Sequence, residues 1–299
     1  MMRNLLWRPV GFAAVLVLPG AALAGEFVVA TYNLHNYVGK GVEGRPAKSA
    51  AARGRVSAMI ARVRPDVLAL QEMGTTNLLQ GLRADLNASG LDYPHWIWVK
   101  GADPDIHLAV LSRFPLKAAR AHDQVPYLLD GRRLLVSRGF AEVEVQVHPG
   151  YRFTLFNAHL KSKRPVLHAD QSEIRLAEAK ALRELVQGRI ANAAENLLVV
   201  GDLNDNQDAP PLKVLVGRGR SDLRDLRPLE RIDGAISSGA AWTYHYRKED
   251  TYSRFDYILA NAGMAREHLA AHSYVAGSPE AMEASDHRPV VAAFSDVDR

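Results

Sequence analysis

Cysteine is absent from all 299 residues of the sequence. This absence excludes disulfide bonds, thiolate nucleophiles and zinc sites built on cysteine, so the fold has to be stabilised by its core. No apolar run reaches the roughly 20 residues that a membrane-spanning helix requires. A large excess of charge of either sign is also missing, because the formal net charge is only +4. So small a net charge does not indicate any particular class of partner.

The first 24 residues have the features of a secretory signal. Arg3 and Arg8 form a positive start, residues 10–18 are mostly apolar, and Ala22-Leu23-Ala24 is a small-x-small cleavage site. A membrane anchor is the alternative, but the apolar run is too short to span a bilayer. We therefore expect export to the periplasm or the medium, with no stable membrane insertion after cleavage. The mature chain, residues 25–299, is expected to form one domain.

Short β-like apolar runs alternate with turn residues along the mature chain, and two longer stretches have helical periodicity. The helical stretches are residues 50–63 and 172–186, and Asp170 with Glu173 forms a capping-box-like start to the second. Since strands outnumber helices, the pattern favours a layered α/β domain with mixed sheets over a dinucleotide-binding fold. The predicted strands cover residues 27–32, 67–70, 108–111, 141–147, 153–158, 197–200, 257–259 and 290–294.

Polar side chains stand at the ends of several predicted strands. Amide, carboxylate and imidazole groups at such places are costly to bury unless they are paired or bind a ligand. Any one of them could cap a turn. Six such strand ends in one chain indicate a functional site, because α/β folds build their sites on strand ends and loops. The residues are Asn33, Glu72, His159, Asp202 with Asn204, Asp256, and Asp286 with His287.

These residue types suit a hard metal ion. Oxygen ligands without cysteine favour Mg²⁺, with Mn²⁺ or Ca²⁺ as alternatives, over structural zinc. Hydrolysis of a phosphodiester needs such an ion, a positioned water and donors to the phosphoryl oxygens. The run that begins at Asp202 imitates an EF-hand calcium loop, but Gln207 and Lys213 stand where that motif needs glycine and glutamate. The pattern therefore indicates a catalytic metal site rather than an EF-hand.

Seven short sequence blocks occur in the order that is typical of one enzyme superfamily. Each block is weak evidence alone, but their collinear order over nearly the whole mature chain is specific. With these blocks the chain resembles the endonuclease/exonuclease/phosphatase superfamily, and within it the deoxyribonuclease I-like members. The blocks are Thr31-Tyr32-Asn33, Leu70-Gln71-Glu72, Leu111-Ser112-Arg113-Phe114-Pro115, Asn157-Ala158-His159, Gly201-Asp202-Leu203-Asn204, Phe255-Asp256-Tyr257-Ile258-Leu259 and Ser285-Asp286-His287-Arg288-Pro289.

The resemblance implies a four-layer α/β sandwich, in which two central mixed β-sheets face each other between outer helices. It also implies a Mg²⁺-dependent phosphoric ester hydrolase, which we expect to be a monomer. Glu72 would be the principal metal ligand, with Asp286 as a further ligand. Asn33 beside Glu72 would bind the metal ion or orient the phosphate.

The resemblance also implies how water and phosphate would be handled. Asp202 would position or deprotonate the attacking water. Asn204 would hold a phosphoryl oxygen, and Arg113 and Lys161 would contact the phosphate of the substrate.

Two histidines complete the implied catalytic set. His287 would act as a base or as a donor to the transition state, oriented by Asp286. His159 would be the second imidazole, as an acid or a phosphate ligand. Asp256 would orient one of the two histidines.

The block around His159 narrows the expected substrate. It is more similar to secreted bacterial nucleases than to the exonuclease III branch, and nearby basic residues suit a polyanion. Aromatic residues between Trp242 and Tyr252 precede Asp256, where related nucleases have substrate-contacting loops. We therefore predict an exported nuclease with DNA or RNA as its substrate. The basic residues are Arg132, Arg133, Arg138, Lys161, Lys163 and Arg164.

Two alternatives stay open. One is a sphingomyelinase-like or other phospholipid or inositol phosphoesterase, although the apolar hairpin insertion typical of sphingomyelinases is not evident in the sequence. The other is a non-catalytic exported binding protein on the same scaffold. The full set of carboxylates and histidines makes loss of catalysis the weaker hypothesis.

Overall fold

The computed structural model describes residues 25–42, 45–167, 169–190, 195–218, 222–232, 235–236, 239–277 and 281–298. The predicted signal, residues 1–24, lies outside the described residues, so its cleavage stays a prediction. None of the helices in the described ranges is long and apolar enough to cross a membrane.

Eighteen strands and six helices can be followed along these ranges. The strands are β1 (Glu26–Tyr37), β2 (Val67–Met73), β3 (His95–Val99), β4 (His107–Ser112), β5 (Leu116–His122), β6 (Pro126–Leu129), β7 (Arg132–Leu135), β8 (Phe140–His148), β9 (Tyr151–His159), β10 (Leu197–Asp202), β11 (Arg224–Asp225), β12 (Leu229–Ile232), β13 (Ala235–Ile236), β14 (Tyr244–Tyr246), β15 (Thr251–Ser253), β16 (Asp256–Ala260), β17 (Tyr274–Gly277) and β18 (Val290–Ser295). The helices are α1 (Ala50–Val63), α2 (Thr76–Ala88), α3 (Gln171–Ile190), α4 (Pro210–Val216), α5 (Ala262–Glu267) and α6 (Ala281–Ala284).

Two large mixed sheets form the centre of the molecule. The first contains eight strands in the order β13-β12-β17-β18-β1-β2-β4-β3, and the second contains six in the order β11-β16-β10-β9-β8-β5. Two separate hairpins, β6–β7 and β14–β15, stand outside them. All eight predicted strands are present at the expected positions, and each is extended by one or more residues.

Three apolar cores separate four layers. The middle core joins the inner faces of both sheets, with Phe27 of the first sheet stacked on Phe153 of the second at 5.2 Å between ring centroids. A second core packs the outer face of the first sheet against α1, α2 and α6. A third packs the outer face of the second sheet against α3 and α4. The predicted four-layer sandwich is therefore confirmed.

The two helices expected from periodicity form as predicted. The first, α1, spans residues 50–63, and the Ser49 side chain caps it by accepting a hydrogen bond from the Ala52 N–H. The second, α3, starts one residue earlier and ends four residues later than expected. The Asp170 carboxylate accepts hydrogen bonds from the N–H groups of Ser172 and Glu173, as a helix cap does.

The parallel strand pairs bring the polar strand ends to one edge of the sandwich. In each sheet a central pair runs parallel, β1 with β2 and β9 with β10, so their carboxyl ends lie together. The antiparallel strand β16 begins at this same edge, because Asp256 pairs with Asp202 at the end of β10. The segment before β18 reaches it too, since Val290 pairs with Thr31 near the end of β1. The edge thus collects residues that are far apart in sequence.

Candidate active site

Two β-bulges shape one side of this edge. Pairing between β1 and β2 shifts after Asn33, and pairing between β2 and β4 shifts after Leu70. At these irregularities His35, Asn36 and Glu72 adopt φ angles of 47°, 50° and 58°. Non-glycine residues in this left-handed region cost on the order of 1–3 kcal/mol each and concentrate at functional sites. The bulges bring the Asn36 N–H to 2.6 Å from the Glu72 carboxylate, to which it donates.

Glu72 is kept ionised at the end of β2. Its side chain is 17% exposed, and one carboxylate oxygen lies 3.5 Å from the Asn33 Nδ2. Burial alone would raise the pKa of Glu72, but three nearby histidines, His159, His35 and His287, and the Asn36 N–H lower it to about 2. Glu72 therefore carries a negative charge at neutral pH and is available to a cation.

Asn33 contacts both Asp202 and the backbone of the β1 bulge. Its Nδ2 donates to the Asp202 Oδ2 at 2.8 Å, while its Oδ1 accepts the His35 N–H at 3.0 Å. The amide oxygen has two lone pairs, so this hydrogen bond leaves one of them for a cation. Asn33 lies beside Glu72 as expected and positions Asp202, and its role as a metal ligand stays a prediction.

Gly201 allows Asp202 to reach the site. Its φ is 134°, and a Cβ atom at this position would lie 1.9 Å from the Ala158 carbonyl oxygen on the neighbouring strand β9. After this close approach the Asp202 Oδ1 accepts the N–H of Asn204, which has a φ of 53°. The Asn204 side chain donates to the Leu160 carbonyl at 3.0 Å, which leaves its second amide hydrogen for a phosphoryl oxygen.

Asp202 lies between the two predicted histidines. Its Oδ2 is 3.5 Å from the Nε2 of His159 and 3.8 Å from the Nε2 of His287. Burial is the largest effect and, despite the opposing charge of His287, raises the pKa of Asp202 to about 7. A carboxylate with a pKa near neutrality can accept a proton during catalysis.

His287 is held as a cation by Asp256. Its Nδ1 lies 2.8 Å from the Asp256 Oδ2, and the ring packs on Tyr244 at 4.8 Å. Burial would lower the pKa of His287, but the carboxylates of Asp256 and Asp202 raise it to about 10. Asp256 therefore orients a histidine as expected. Asp286 does not orient this ring through Nδ1, because its Oδ1 lies 4.0 Å from the opposite nitrogen, Nε2.

His159 has the opposite electrostatic character. It is 1% exposed, and its Nδ1 has no hydrogen-bond partner among the described residues. Burial, reinforced by the positive charge of Arg138, lowers the pKa of His159 to about 3. The site thus combines a neutral imidazole, His159, with a protonated one, His287.

Glu72 and Asp286 each offer carboxylate oxygen to a cation. The Asp286 Oδ1 is buried and accepts no hydrogen bond within the described part of the chain, and the nearest basic nitrogen is the His35 Nδ1 at 3.6 Å. A buried carboxylate oxygen without a donor is costly unless a cation binds it. Oxygen ligands of this type suit Mg²⁺.

A second cluster also has the composition of a metal site. Ligand atoms of Asp202, Asp256 and His287 all lie within 4.8 Å of one another. The Nδ1 of His287 is bonded to Asp256, so the Nε2 is the ring nitrogen left for a ligand. The trio can therefore exchange protons and also offers ligand atoms to a cation.

The two predicted phosphate contacts are wrong in this structure. Arg113 follows β4 at its Ser112 end, which pairs with the start of β2, so it lies at the opposite edge of the sheet from Glu72. There it forms an ion pair with Asp66 at 2.7 Å. Lys161 does lie next to the site, but its ammonium group donates to the Ser162 side chain and to the carbonyls of residues 162 and 164. Neither group presents its charge to a phosphate at the site.

Thr243 joins the two halves of the Asp256–His287 pair, and no motif in the sequence indicated it. Its buried hydroxyl accepts the N–H groups of Phe255 and Asp256, both at 3.0 Å. Its carbonyl accepts the Arg288 N–H at 2.8 Å. The residue thus fixes the backbone on both sides of the pair.

A buried amide pair joins the two sheets behind the site. The Gln71 Nε2 donates to the Asn157 Oδ1 at 2.7 Å, and the Asn157 Nδ2 donates to the carbonyls of Leu70 and Ala109. Asn157 comes from the second sheet and the other three residues from the first. These bonds hold the strand that ends in His159 against the strand that ends in Glu72. The motif block at residues 157–159 was a signal, but it did not reveal this bridging role.

Solved structures with the same fold cover nearly the whole chain. A beta toxin variant from Staphylococcus aureus with bound magnesium ions has 15% identity and a TM-score of 0.63, covering 91% of this chain and 100% of its own. Sphingomyelinase C from Streptomyces griseocarneus has 17% identity and a TM-score of 0.59, with 90% and 99% covered. The human nocturnin catalytic domain with a bound sulfate anion has 19% identity and a TM-score of 0.63, with 91% and 95% covered. Identities this low show the fold alone.

The sequence itself gives the family. No curated protein sequence matches the chain significantly. A sequence model of the Endonuclease/Exonuclease/phosphatase family, in contrast, matches residues 30–287. This match begins just before Asn33 and ends at His287, so it includes all the residues that the fold gathers at this edge. The chain therefore belongs to the endonuclease/exonuclease/phosphatase family, whose members are phosphoric ester hydrolases.

Proposed function

We propose that this protein is an exported, Mg²⁺-dependent phosphodiesterase that cleaves DNA or RNA by attack of a water molecule. The observation that carries the proposal is the position of Asp202 between a neutral and a protonated imidazole. The Asp202 carboxylate lies within 4 Å of both rings, and an oxygen of the ionised Glu72 lies 4.0 Å from the Nε2 of His159. Such a set can accept one proton and donate a hydrogen bond at the same time.

Each of these residues has a separate role in the proposed hydrolysis of the phosphodiester. The Asp202 carboxylate takes a proton from water as the new oxygen–phosphorus bond forms. The Nε2–H of His287 donates a hydrogen bond to the phosphoryl group, the bond from phosphorus to the leaving oxygen breaks, and the leaving oxygen takes a proton from solvent water, to which Asp202 later returns its own. Asp256 holds the His287 ring in the required orientation. The free hydrogen of the Asn204 amide donates to a second phosphoryl oxygen.

Glu72 and Asp286 would hold the metal ion in this scheme. A bound Mg²⁺ neutralises negative charge on the phosphoryl oxygens. The magnesium ions bound to the structurally similar beta toxin and the sulfate bound to nocturnin support a site for a cation and a tetrahedral anion on this fold.

The hairpin β14–β15 supports nucleic acid over a lipid substrate. Its tip is the run Arg247-Lys248-Glu249-Asp250, which is charged at every position. Charged side chains are costly to transfer into the hydrocarbon of a bilayer. The hairpin is therefore poorly suited to membrane insertion, whereas its two cations suit a phosphate backbone.

One experiment tests activity, substrate and export together. The full chain would be expressed in a bacterial host, recovered from periplasm and medium, and its N-terminus sequenced. The product would be incubated with supercoiled plasmid, structured RNA or sphingomyelin vesicles, each with Mg²⁺ or EDTA. A His287→Ala variant with an unchanged melting curve serves as the control.

The expected result is an N-terminus at Gly25 and Mg²⁺-dependent cleavage of plasmid or RNA that the variant lacks. Cleavage of sphingomyelin alone would replace the nuclease proposal with the lipid alternative. Equal rates for the variant and the wild type would show that His287 is not in the catalytic centre.

A further inference from the structure

A cleft continues outward from the candidate active site. It has a volume of about 460 Å³ and shares Asp286 and His35 with the site. The segment 46–49 before α1 forms one wall, and residues 282–285 form another. The third wall is the hairpin strand β14 with its tip, residues 244–248. A pocket of this size is in the range that holds a nucleotide-sized ligand.

The cleft carries unneutralised positive charge. Arg247 and Lys248 form no ion pair with any other residue that the structure describes. Across from them the Lys48 ammonium donates to the Ala284 carbonyl at 2.7 Å, which leaves two of its hydrogens for a ligand. The one acidic wall residue outside the active site, Glu283, is paired with Arg55 at 2.8 Å. Charge in the cleft therefore favours an anion.

The N-terminal end of α1 adds to the positive electrostatic potential of the cleft. The helix has 14 residues, begins at the wall formed by Ser49, and has no acidic residue in its first turn. Its N-terminus contributes partial positive charge from unpaired N–H groups. On the opposite wall Tyr246 is 38% exposed, so its ring is available to stack on a base or a sugar.

The hairpin holds these groups at a fixed place relative to the catalytic histidine. Tyr244 and His287 form an antiparallel bridge, and the His245 N–H donates to the Asp286 carbonyl at 2.9 Å. A strand bound at the tip would thus be aligned with the reacting phosphate.

We propose that this cleft binds the nucleotide next to the cleaved bond, with its phosphate held by Arg247 and Lys248 of the hairpin and Lys48 of the opposite wall. The inference rests on the proposed nuclease function and names its flanking subsite. The phosphate bound by these three cations is a second one, next to the reacting phosphate. A polymeric substrate has such a phosphate, whereas a small diester has only the reacting one.

The test compares two charge-matched double variants of the full chain. Arg247→Gln with Lys248→Gln removes the hairpin cations, and Lys117→Gln with Lys180→Gln removes two exposed cations of β5 and α3. Cleavage of a short single-stranded oligonucleotide and of bis(p-nitrophenyl) phosphate would be measured for each over a range of KCl concentrations at constant Mg²⁺. Lys117 and Lys180 are exposed and lie outside the cleft.

The hairpin variant is expected to lose on the order of tenfold in the ratio of kcat/KM for the oligonucleotide to kcat/KM for the small diester. Its log–log salt dependence should become shallower by about 0.7, since both cations are proposed to bind one phosphate and each neutralised phosphate of a single strand contributes about 0.7. The control variant should keep the wild-type ratio. One outcome is that the wild type cuts the oligonucleotide while the hairpin variant keeps the wild-type ratio and salt slope. That result would overturn the proposed subsite but not the nuclease function. A wild-type protein that cuts only the small diester would overturn the nuclease function and the subsite with it.

Discussion

The Nδ1 of His287 lies 2.8 Å from the Oδ2 of Asp256, and the two side chains are 6% and 0% exposed. In this dry surrounding the carboxylate stabilises the imidazolium form and fixes the orientation of the ring. The opposite nitrogen then has to carry a hydrogen, and it faces Asp202. The pair thus determines what His287 can do in the reaction.

Replacing Asp256 by asparagine should lower kcat by about 10²- to 10⁴-fold, the range that a positioned acid or base contributes. The amide keeps the shape of the side chain but no longer stabilises the charge on His287. Steady-state kinetics on the cleaved substrate would measure the effect, with a melting curve to confirm folding. Glu26→Gln is the matched control, because it alters a histidine–carboxylate pair at 2.9 Å that lies on the surface. An Asp256→Asn enzyme with the rate of that control would refute the role of the pair.

The charge on His287 also predicts how stability depends on pH in metal-free protein. The pKa of this group is about 10 in the folded protein against 6.5 as its ordinary value. Its contribution to the free energy of unfolding is therefore complete below pH 6.5 and declines as the pH rises towards 10. Urea unfolding in EDTA should show that His287→Ala destabilises the protein less at the alkaline end of this window than at the acid end. A constant difference between the two proteins would contradict a raised pKa.

Glu72→Gln should shift activation by Mg²⁺ to a concentration higher by on the order of tenfold or more, because one of the two proposed charged ligands is lost. The measurement is the activity of each protein as a function of Mg²⁺. Glu144→Gln is a suitable control, since its carboxylate pairs with Arg152 at 3.4 Å on the surface. Superimposable titrations for Glu72→Gln and wild type would remove Glu72 from the metal site.

Asn33→Ala separates positioning from metal binding. Because the Asn33 amide donates to the Asp202 carboxylate, the variant should lower kcat, and a purely positioning role leaves the Mg²⁺ midpoint near the wild-type value. The same titration reports both quantities. A midpoint that moves as far as in Glu72→Gln would mean that Asn33 is a ligand after all.

Gly201→Ala should destabilise the protein by about 2–4 kcal/mol, as expected when a Cβ is forced against backbone at a positive φ. The new atom would lie 1.9 Å from the Ala158 carbonyl oxygen. Gly81→Ala in α2 is the matched control, since no atom lies within 4 Å of its Cβ position. There the helix should gain about 0.5–1 kcal/mol. Denaturant unfolding measures the change in the free energy of unfolding for both variants. Equal changes would show that the backbone around residue 201 can move away from the Ala158 carbonyl.

The central strands of the fold were predictable because each of the eight predicted strands is a local apolar run. Glu72 and Asp202 come within two residues of the end of such runs, so their position at strand ends could be predicted without knowing the sheet order. The edge at which a strand ends depends on its direction relative to its neighbours. Arg113 was misplaced for that reason, because β4 runs antiparallel to β2.

The finer geometry of the site depends on contacts that no short motif predicts. The Asn36 N–H reaches Glu72 only because bulges occur in the pairing of two strands. The ammonium of Lys161 is taken up by carbonyls of the turn that follows it. Thr243 acts through its backbone carbonyl and its hydroxyl on Phe255, Asp256 and Arg288, which follow it in the sequence at a distance. None of these relationships has a local sequence signature.

Substitutions at the base and at the tip of the hairpin β14–β15 should have different effects. Its base is bonded to Asp256 and Arg288 through Thr243, so substitutions there disturb the reacting groups. Its tip, in contrast, is an exposed turn that contributes nothing to the three apolar cores. If the tip binds substrate as proposed, exchanging its residues should change which phosphoester is bound while the groups around Asp256 and His287 stay in place. New substrate ranges could arise in this fold through a four-residue turn.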